Sequence, residues 1–216
     1  MTAFAIFGQN CAGKDSILHE VQLIDPQIIV IRSTKVFMKA IGYPADPLSP
    51  ETTPKEWYLH LESMPPEKID EIADGYFQSY LAGFLREDIK AVATLHLVLL
   101  KQDNIGKTIV YKERIRLWYK KVFRGAIYVE VDANSAWKRR QKDMLNNSDV
   151  RNKGRFSKED VSEESNQAWR TLVEKCFQGS TPCLVVNNGD SDLEKKVKIA
   201  SVAHDIVRFI NGIGNN

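Results

Sequence analysis

The sequence predicts a three-layer α/β fold built on a five-stranded parallel sheet. Three observations point there. Short apolar runs alternate with helix-length amphipathic segments along the whole chain. The first of them, TAFAIF, is continuously apolar after its threonine, as a strand covered on both faces must be. It leads directly into GQNCAGKDS, a Gly-x-x-x-x-Gly-Lys pattern complete from Gly8 to Lys14, with a helix predicted to begin near Lys14.

The remaining elements follow in order. QIIVIRS, residues 27–33, is the second strand, introduced by Asp25-Pro26, and STKVFMKAIG is a short helix stopped by Gly42. A proline-rich loop over 44–54 crosses to the helical segment PKEWYLHLES. From 66 to 102, Ile69, Ile72, Phe77, Leu81, Leu85, Ile89, Val92 and Leu97 recur at helical spacings. That stretch is too long for one helix and predicts a break or bend near Gly83; LHLVLL within it also fits a strand. GKTIVYKE, residues 106–113, reads as the third strand, with RIRLWYKKVF as the helix after it. GAIYVEV, residues 125–131, is the fourth, followed by a helix in DANSAWKRRQKDML and a polar loop in NNSDVRNKGRF. Ser157 and Asp160 make a capping-box-like start for a helix through Trp169, Leu172, Val173 and Cys176. PCLVVNN is the fifth strand. Ser191 and Glu194 open a last amphipathic helix carrying Leu193, Val197, Ala200, Ala203, Val207 and Ile210, ended by Asn211-Gly212.

Composition narrows the function classes. A chain of 216 residues suits one domain with a small insert or lid, and 43% hydrophobic with 27% charged residues is ordinary for a globular protein. No apolar run reaches the ~20 residues a membrane span needs, and MTAFAIF lacks the basic start of a signal peptide. Cys11, Cys176 and Cys183 are odd in number and lack metal-ligand spacing, so they read as reduced thiols, in keeping with a cytoplasmic location. The four histidines are scattered singly and suggest no metal site. The net charge of +2 conceals an asymmetry: residues 101–158 carry 16 Lys and Arg against 6 Asp and Glu, leaving −8 on the rest. Such a segment gathers negative charge, whether the phosphates of a nucleotide or a nucleic-acid backbone.

The glycine pattern has a mechanism in this context. Backbone N–H groups from Gln9 to Lys14 can line a concavity that merges with a helix N-terminus and cradles phosphate oxygens. Gly8 and Gly13 permit the backbone angles, and Lys14 brings a point charge to the β- and γ-phosphates. One letter departs from the usual pattern. Where a Ser or Thr hydroxyl normally meets magnesium, the chain has Asp15, with Ser16 after it.

GQNCAGKDS resembles the Gly-x-x-x-x-Gly-Lys-Asp-Thr loop of phage deoxynucleoside monophosphate kinases. The wider chain is similar to the adenylate kinase-like and dephospho-coenzyme A kinase-like P-loop kinases. The resemblance implies the P-loop kinase fold and magnesium-dependent transfer of the γ-phosphoryl of ATP to a nucleoside or deoxynucleoside monophosphate. It implies an ATP site at Gly8, Asn10, Cys11, Ala12, Gly13, Lys14, Asp15 and Ser16, with Asp15 on Mg2+, directly or through water. VYKER, at the end of the predicted third strand, implies a substrate-phosphate arginine at Arg114. The expected acidic residue is displaced there, with Tyr111 in its place and Glu113 nearby. On the helix after the fourth strand, Arg139 or Arg140 would contact base or phosphate. RNKGRFSKED resembles a short lid, in which Arg151 and Arg155 would close over the transferring phosphoryl. The acceptor site falls on Ser33, Thr34 and Lys35, with Met38 where an arginine is expected, and Trp57 and Tyr58 are placed to stack a base.

The expected layout is therefore one P-loop kinase domain over 1–216, with an acceptor-binding helical insert at 34–90 and a lid at 146–158. Its partners would be a small-molecule nucleotide, with nucleic acid not favoured and no membrane, in a monomer or homodimer. Lys14, Arg114, Arg151 and Arg155 would do the catalytic work. The alternatives are a kinase of dephospho-coenzyme A, a kinase acting on a hydroxyl of a modified base or nucleic-acid end, and an ATP- or nucleic-acid-binding protein without kinase activity.

Overall fold

The structure, a computed structural model, describes residues 2–9, 11–51, 54, 56–57, 60, 63–84, 89–95, 98–102, 108–113, 118–146, 163–177, 179, 181–189 and 195–214. Strand β1 (Thr2–Phe7) is followed by helix α1 (Lys14–Ile24), β2 (Ile28–Arg32) and α2 (Ser33–Ala40). After these come α3 (Pro66–Ile72), a π-helical turn (Ala73–Phe77), α4 (Gln78–Phe84), β3 (Lys90–Thr94), β4 (Val98–Gln102) and β5 (Thr108–Glu113). The chain continues through α5 (Tyr119–Val122), β6 (Phe123–Glu130), α6 (Ala133–Asn146), α7 (Glu163–Phe177), β7 (Cys183–Asn187) and α8 (Lys195–Gly214).

Five strands form one parallel sheet in the order β2-β3-β1-β6-β7. β1 lies at its centre and is buried from Ala3 to Phe7, which explains its unbroken apolar run. Its alternate residues feed two cores. Ala3, Ala5 and Phe7 pack on one face with Phe77, Leu81, Trp118, Trp169 and Phe177. Phe4 and Ile6 pack on the other with Ile17, Leu18, Val21, Ala203 and Ile206 of α1 and α8. Burying one such side chain contributes about 1.5–3 kcal/mol, so both helix layers are held by the same short strand. The three-layer α/β fold with a five-stranded parallel sheet is as the sequence predicts.

Three expectations are corrected. The third sheet strand is KAVAT, Lys90–Thr94, paired with both β1 and β2, and not the segment over 106–113. Thr108–Glu113 instead pairs antiparallel with Val98–Gln102 in a separate two-stranded sheet. The helical stretch expected from 66 does break near Gly83, with α4 ending at Phe84 and a π turn at 73–77, but 90–94 and 98–102, read as its continuation, are strands. Of the helix expected in RIRLWYKKVF, the described part is Tyr119–Val122, and Phe123 already belongs to β6. Among the described residues no helix is long and apolar enough to cross a membrane.

Candidate phosphate-binding site

From β1 the chain runs out to the edge strand β2 and back to β3, then crosses to β6 on the other side. Connections thus diverge from the carboxyl end of β1, where crevices of open α/β sheets form. The glycine loop occupies that point.

Each loop residue has a local reason for its place. A Cβ on Gly8 (φ 154°) would lie 2.6 Å from the Val129 carbonyl oxygen of β6, so only glycine lets the loop leave β1 so close to its neighbour. Gln9 is fully buried and donates from Nε2 to the Val131 carbonyl at 3.1 Å. Cys11 (φ 62°) and Gly13 (φ 81°) both adopt left-handed backbone, and Cys11 does so despite its side chain. The Ala12 N–H closes a turn on the Gln9 carbonyl at 3.3 Å. Alternating handedness of this kind directs successive N–H groups to one side and makes an anion-binding concavity.

Lys14 opens α1 and folds back over the loop. Its Nζ donates to the carbonyls of Gly8 at 2.8 Å and Gln9 at 3.1 Å. Burial pushes its pKa below the ordinary lysine value, opposed by the charges of Asp15 and Cys11. Asp15 and Ser16 are exposed on the first turn of α1, where a carboxylate suits the helix dipole.

Two residues grip the loop from outside. The Asn188 side chain, just past β7, donates from Nδ2 to the Ala12 carbonyl at 2.8 Å. Arg139 of α6 donates to the Cys11 carbonyl at 3.3 Å and the Asn188 carbonyl at 2.5 Å. A Cβ on Gly13 would lie 2.6 Å from Asn188 Nδ2. Asp132 caps α6 by accepting from the Ser135 N–H at 2.8 Å. Burial would raise its pKa, but the bonds from Ser135 and the charge of Arg139 hold it below the usual aspartate value.

A second cationic group lies at the end of β2. Arg32 donates to the Leu48 carbonyl and Lys35 to the Ser49 carbonyl, both at 3.0 Å. Burial lowers both pKa values, opposed in Arg32 by Asp15 and Asp46 and reinforced in Lys35 by Arg32. Ser33 is buried, and its N–H donates to Thr94 Oγ1 at the end of β3; Thr34 is half-buried beside it.

The structure thus brings Gly8, Cys11, Ala12, Gly13, Lys14, Asp15 and Ser16 together at the carboxyl edge of the sheet, with Ser33, Thr34 and Lys35 at the end of β2. Of the two arginines on α6, Arg139 touches the loop, while Arg140 is only 6% exposed. Trp57 stacks on Tyr43 with ring centroids 4.8 Å apart, and the Tyr43 hydroxyl hydrogen-bonds His60 Nδ1 at 2.7 Å. Asn10, Tyr58, Arg114, Arg151 and Arg155 lie outside the described residues. The strand before Arg114, β5, is not the third strand of the parallel sheet, which ends at Thr94. Tyr111 and Glu113, the residues expected around the displaced acid, belong to β5.

Sequence reasoning offered Arg32 beside Ser33, Thr34 and Lys35, but missed Gln9 as a buried anchor, and Asn188. An asparagine immediately after the last parallel strand was the available signal for Asn188. Among the described residues no three His, Cys, Asp or Glu side chains converge. A magnesium ion held by one carboxylate, water and nucleotide phosphates needs no such cluster. The left-handed backbone at Cys11 and Gly13, and the lysine folded back over the loop, fit a phosphate chain. Asp15 at the loop's rim fits the accompanying cation.

No family model and no curated protein matches the chain. Among solved structures, a sugar kinase from Janibacter sp. HTCC2649 superposes with a TM-score of 0.50 at 10% identity, covering 99% of this chain and 95% of its own. A "putative kinase" from Chloroflexus aurantiacus J-10-fl gives 0.49 at 10% identity, covering 98% and 97%. At this identity the similarity is one of fold.

Proposed function

We propose that the chain is an ATP-dependent phosphotransferase that moves the γ-phosphoryl of ATP to a nucleoside or deoxynucleoside monophosphate. The observation that carries this reading is Lys14: a part-buried cation set on the Gly8 and Gln9 carbonyls, in a loop with left-handed backbone at Cys11 and Gly13. A desolvated cation held by neutral carbonyls calls for an anionic ligand. The fold it shares with a structure described as a sugar kinase agrees with phosphoryl transfer.

ATP with magnesium would supply the phosphoryl group and neutralise charge between its phosphates. The chain's own part is positioning and electrostatics. Gly8 to Gly13 would hold the phosphates with backbone N–H groups. Lys14 would exchange its bonds to Gly8 and Gln9 for phosphate oxygens. Asp15 would meet the cation at the mouth of the loop. Arg32, Ser33, Thr34 and Lys35 would receive the acceptor's phosphate at the end of β2, one sheet position beyond β3. The segments over 34–90 and 146–158 would serve as acceptor insert and lid.

The test is a panel of acceptors with labelled ATP: nucleoside and deoxynucleoside monophosphates, dephospho-coenzyme A, sugars and 5′-hydroxyl oligonucleotides. ADP release dependent on a monophosphate supports the reading. Transfer confined to another class moves the acceptor assignment, and no transfer to any of them removes the kinase assignment.

A further inference from the structure

The grip on the outside of the glycine loop has a stereochemical consequence. In a trans peptide the C=O of one residue and the N–H of the next point in opposite directions, and the described chain contains no cis peptide. The Ala12 carbonyl is drawn outward to Asn188 Nδ2, so the Gly13 N–H is turned the other way, into the concavity. The Cys11 carbonyl is drawn outward to Arg139, and the Ala12 N–H correspondingly points across the loop to Gln9. Asn188 is itself fixed. It is only 2% exposed, its N–H donates to the Glu130 carbonyl at 2.7 Å, and its own carbonyl accepts from Arg139. One side chain beyond β7 therefore sets the peptide plane between Ala12 and Gly13, where glycine is free enough to flip.

We propose that Asn188 is a positioning residue for phosphate binding, which acts by holding the Gly13 N–H toward the phosphate and not by touching a nucleoside. This rests on the reading of the loop as a phosphate cradle. The distinction is measurable, because a ligand made only of phosphate senses the loop and nothing else. The Asn188→Leu substitution keeps the approximate volume and removes the donor without adding charge.

The experiment is calorimetric titration of the full chain and of Asn188→Leu with magnesium tripolyphosphate and with magnesium ATP. Circular dichroism first establishes that both are folded. If Asn188 acts through the loop, both affinities fall by the same factor, roughly tenfold for one lost hydrogen bond. A variant that loses ATP but keeps tripolyphosphate would show that Asn188 meets the nucleoside, and unchanged affinity for both would show that the loop holds its orientation without it; either overturns the proposal. If the unsubstituted chain binds neither, the phosphate-cradle reading fails and takes this inference with it. Should Asn188→Leu not fold, Asn188→Ala removes the same donor without a branched side chain and gives the same readout.

Discussion

The ammonium group of Lys14 sits 2.8 Å from the carbonyl oxygen of Gly8, the glycine that begins the loop Lys14 ends. A second bond, to Gln9, holds it from the same side. The lysine is thus fixed within its own loop, and under the proposed function a phosphate oxygen would have only to replace two backbone carbonyls. Little side-chain entropy is left to lose on binding.

Lys14 should make phosphate binding pH-dependent in a characteristic direction. Burial lowers its folded-state pKa below 10.5, so the unfolded chain holds that proton more tightly. The cost of the buried charge is present below the folded pKa and is relieved as pH rises between the two values, so this group favours the folded state at alkaline pH. Phosphate affinity moves the opposite way, because binding needs the cation. Affinity for magnesium ATP should fall as pH rises through that lowered pKa, earlier than an ordinary lysine would allow. Lys14→Ala should bind about a hundredfold or more weakly at neutral pH and show no such alkaline decline. A decline of equal size in the folded alanine variant would assign the titration to another group.

Asp15 occupies the position where a hydroxyl usually meets magnesium, and it is exposed at the first turn of α1. Two roles are separable. If the carboxylate receives the cation, Asp15→Asn should raise the magnesium concentration for half-maximal turnover by about tenfold while stability changes by less than about 0.5 kcal/mol. If it only complements the helix dipole, the metal titration should stay put and the variant should lose a few tenths of a kcal/mol. Activity titrated with magnesium, alongside thermal melts, distinguishes them.

What the sequence disclosed and concealed has a physical pattern. β1, its loop and α1 were legible because a strand buried on both faces reads as a continuous apolar run, and the glycines mark backbone that other residues cannot adopt. β3 was hidden. KAVAT is five residues long and follows a helix whose apolar spacing happens to run on through Ile89 and Val92, so the period of 3.6 continued on paper after the helix had ended. TIVYKE was recognised as a strand but assigned to the wrong sheet, because periodicity identifies a strand and not its partner. That single misplacement moved the expected strand-end arginine to Arg114. Arg32 and Lys35 were visible as residue types, but their bonds to the Leu48 and Ser49 carbonyls depend on a loop closing over β2, which no local pattern encodes.

Those two cations should affect the acceptor more than ATP. Both lie at the end of β2, and each is held by one carbonyl of the loop over 43–51. An acceptor phosphate would replace those carbonyls with charge-assisted bonds, worth about 1.5–3 kcal/mol each. Arg32→Met and Lys35→Met should therefore raise the acceptor KM by about ten- to a hundredfold, with the KM for ATP within about threefold of its original value. Parallel rises in both KM values would instead mark Arg32 and Lys35 as structural pins for the loop.

The basic stretch between α6 and α7 poses the sharpest choice between function and solvation. α6 ends at Asn146 and α7 begins at Glu163, and the segment RNKGRF, with Arg151 and Arg155, falls between them in the sequence. α6 carries Arg139, which touches the glycine loop at the Cys11 carbonyl. If Arg151 and Arg155 close over the transferring phosphoryl, their bonds are stronger in the transition state than in bound ATP. Arg155→Ala should then lower kcat by roughly 10²–10⁴, with ATP affinity falling much less and melting temperature almost unchanged. Arg151→Ala should follow the same pattern. A kcat within about threefold for both variants, or affinity and turnover falling together, would leave the segment as a static basic surface for a polyanion. Titration with single-stranded DNA over a range of salt concentrations would then be decisive, because a surface of that kind loses affinity steeply as salt rises, whereas arginines that act only on the transferring phosphoryl give no such slope.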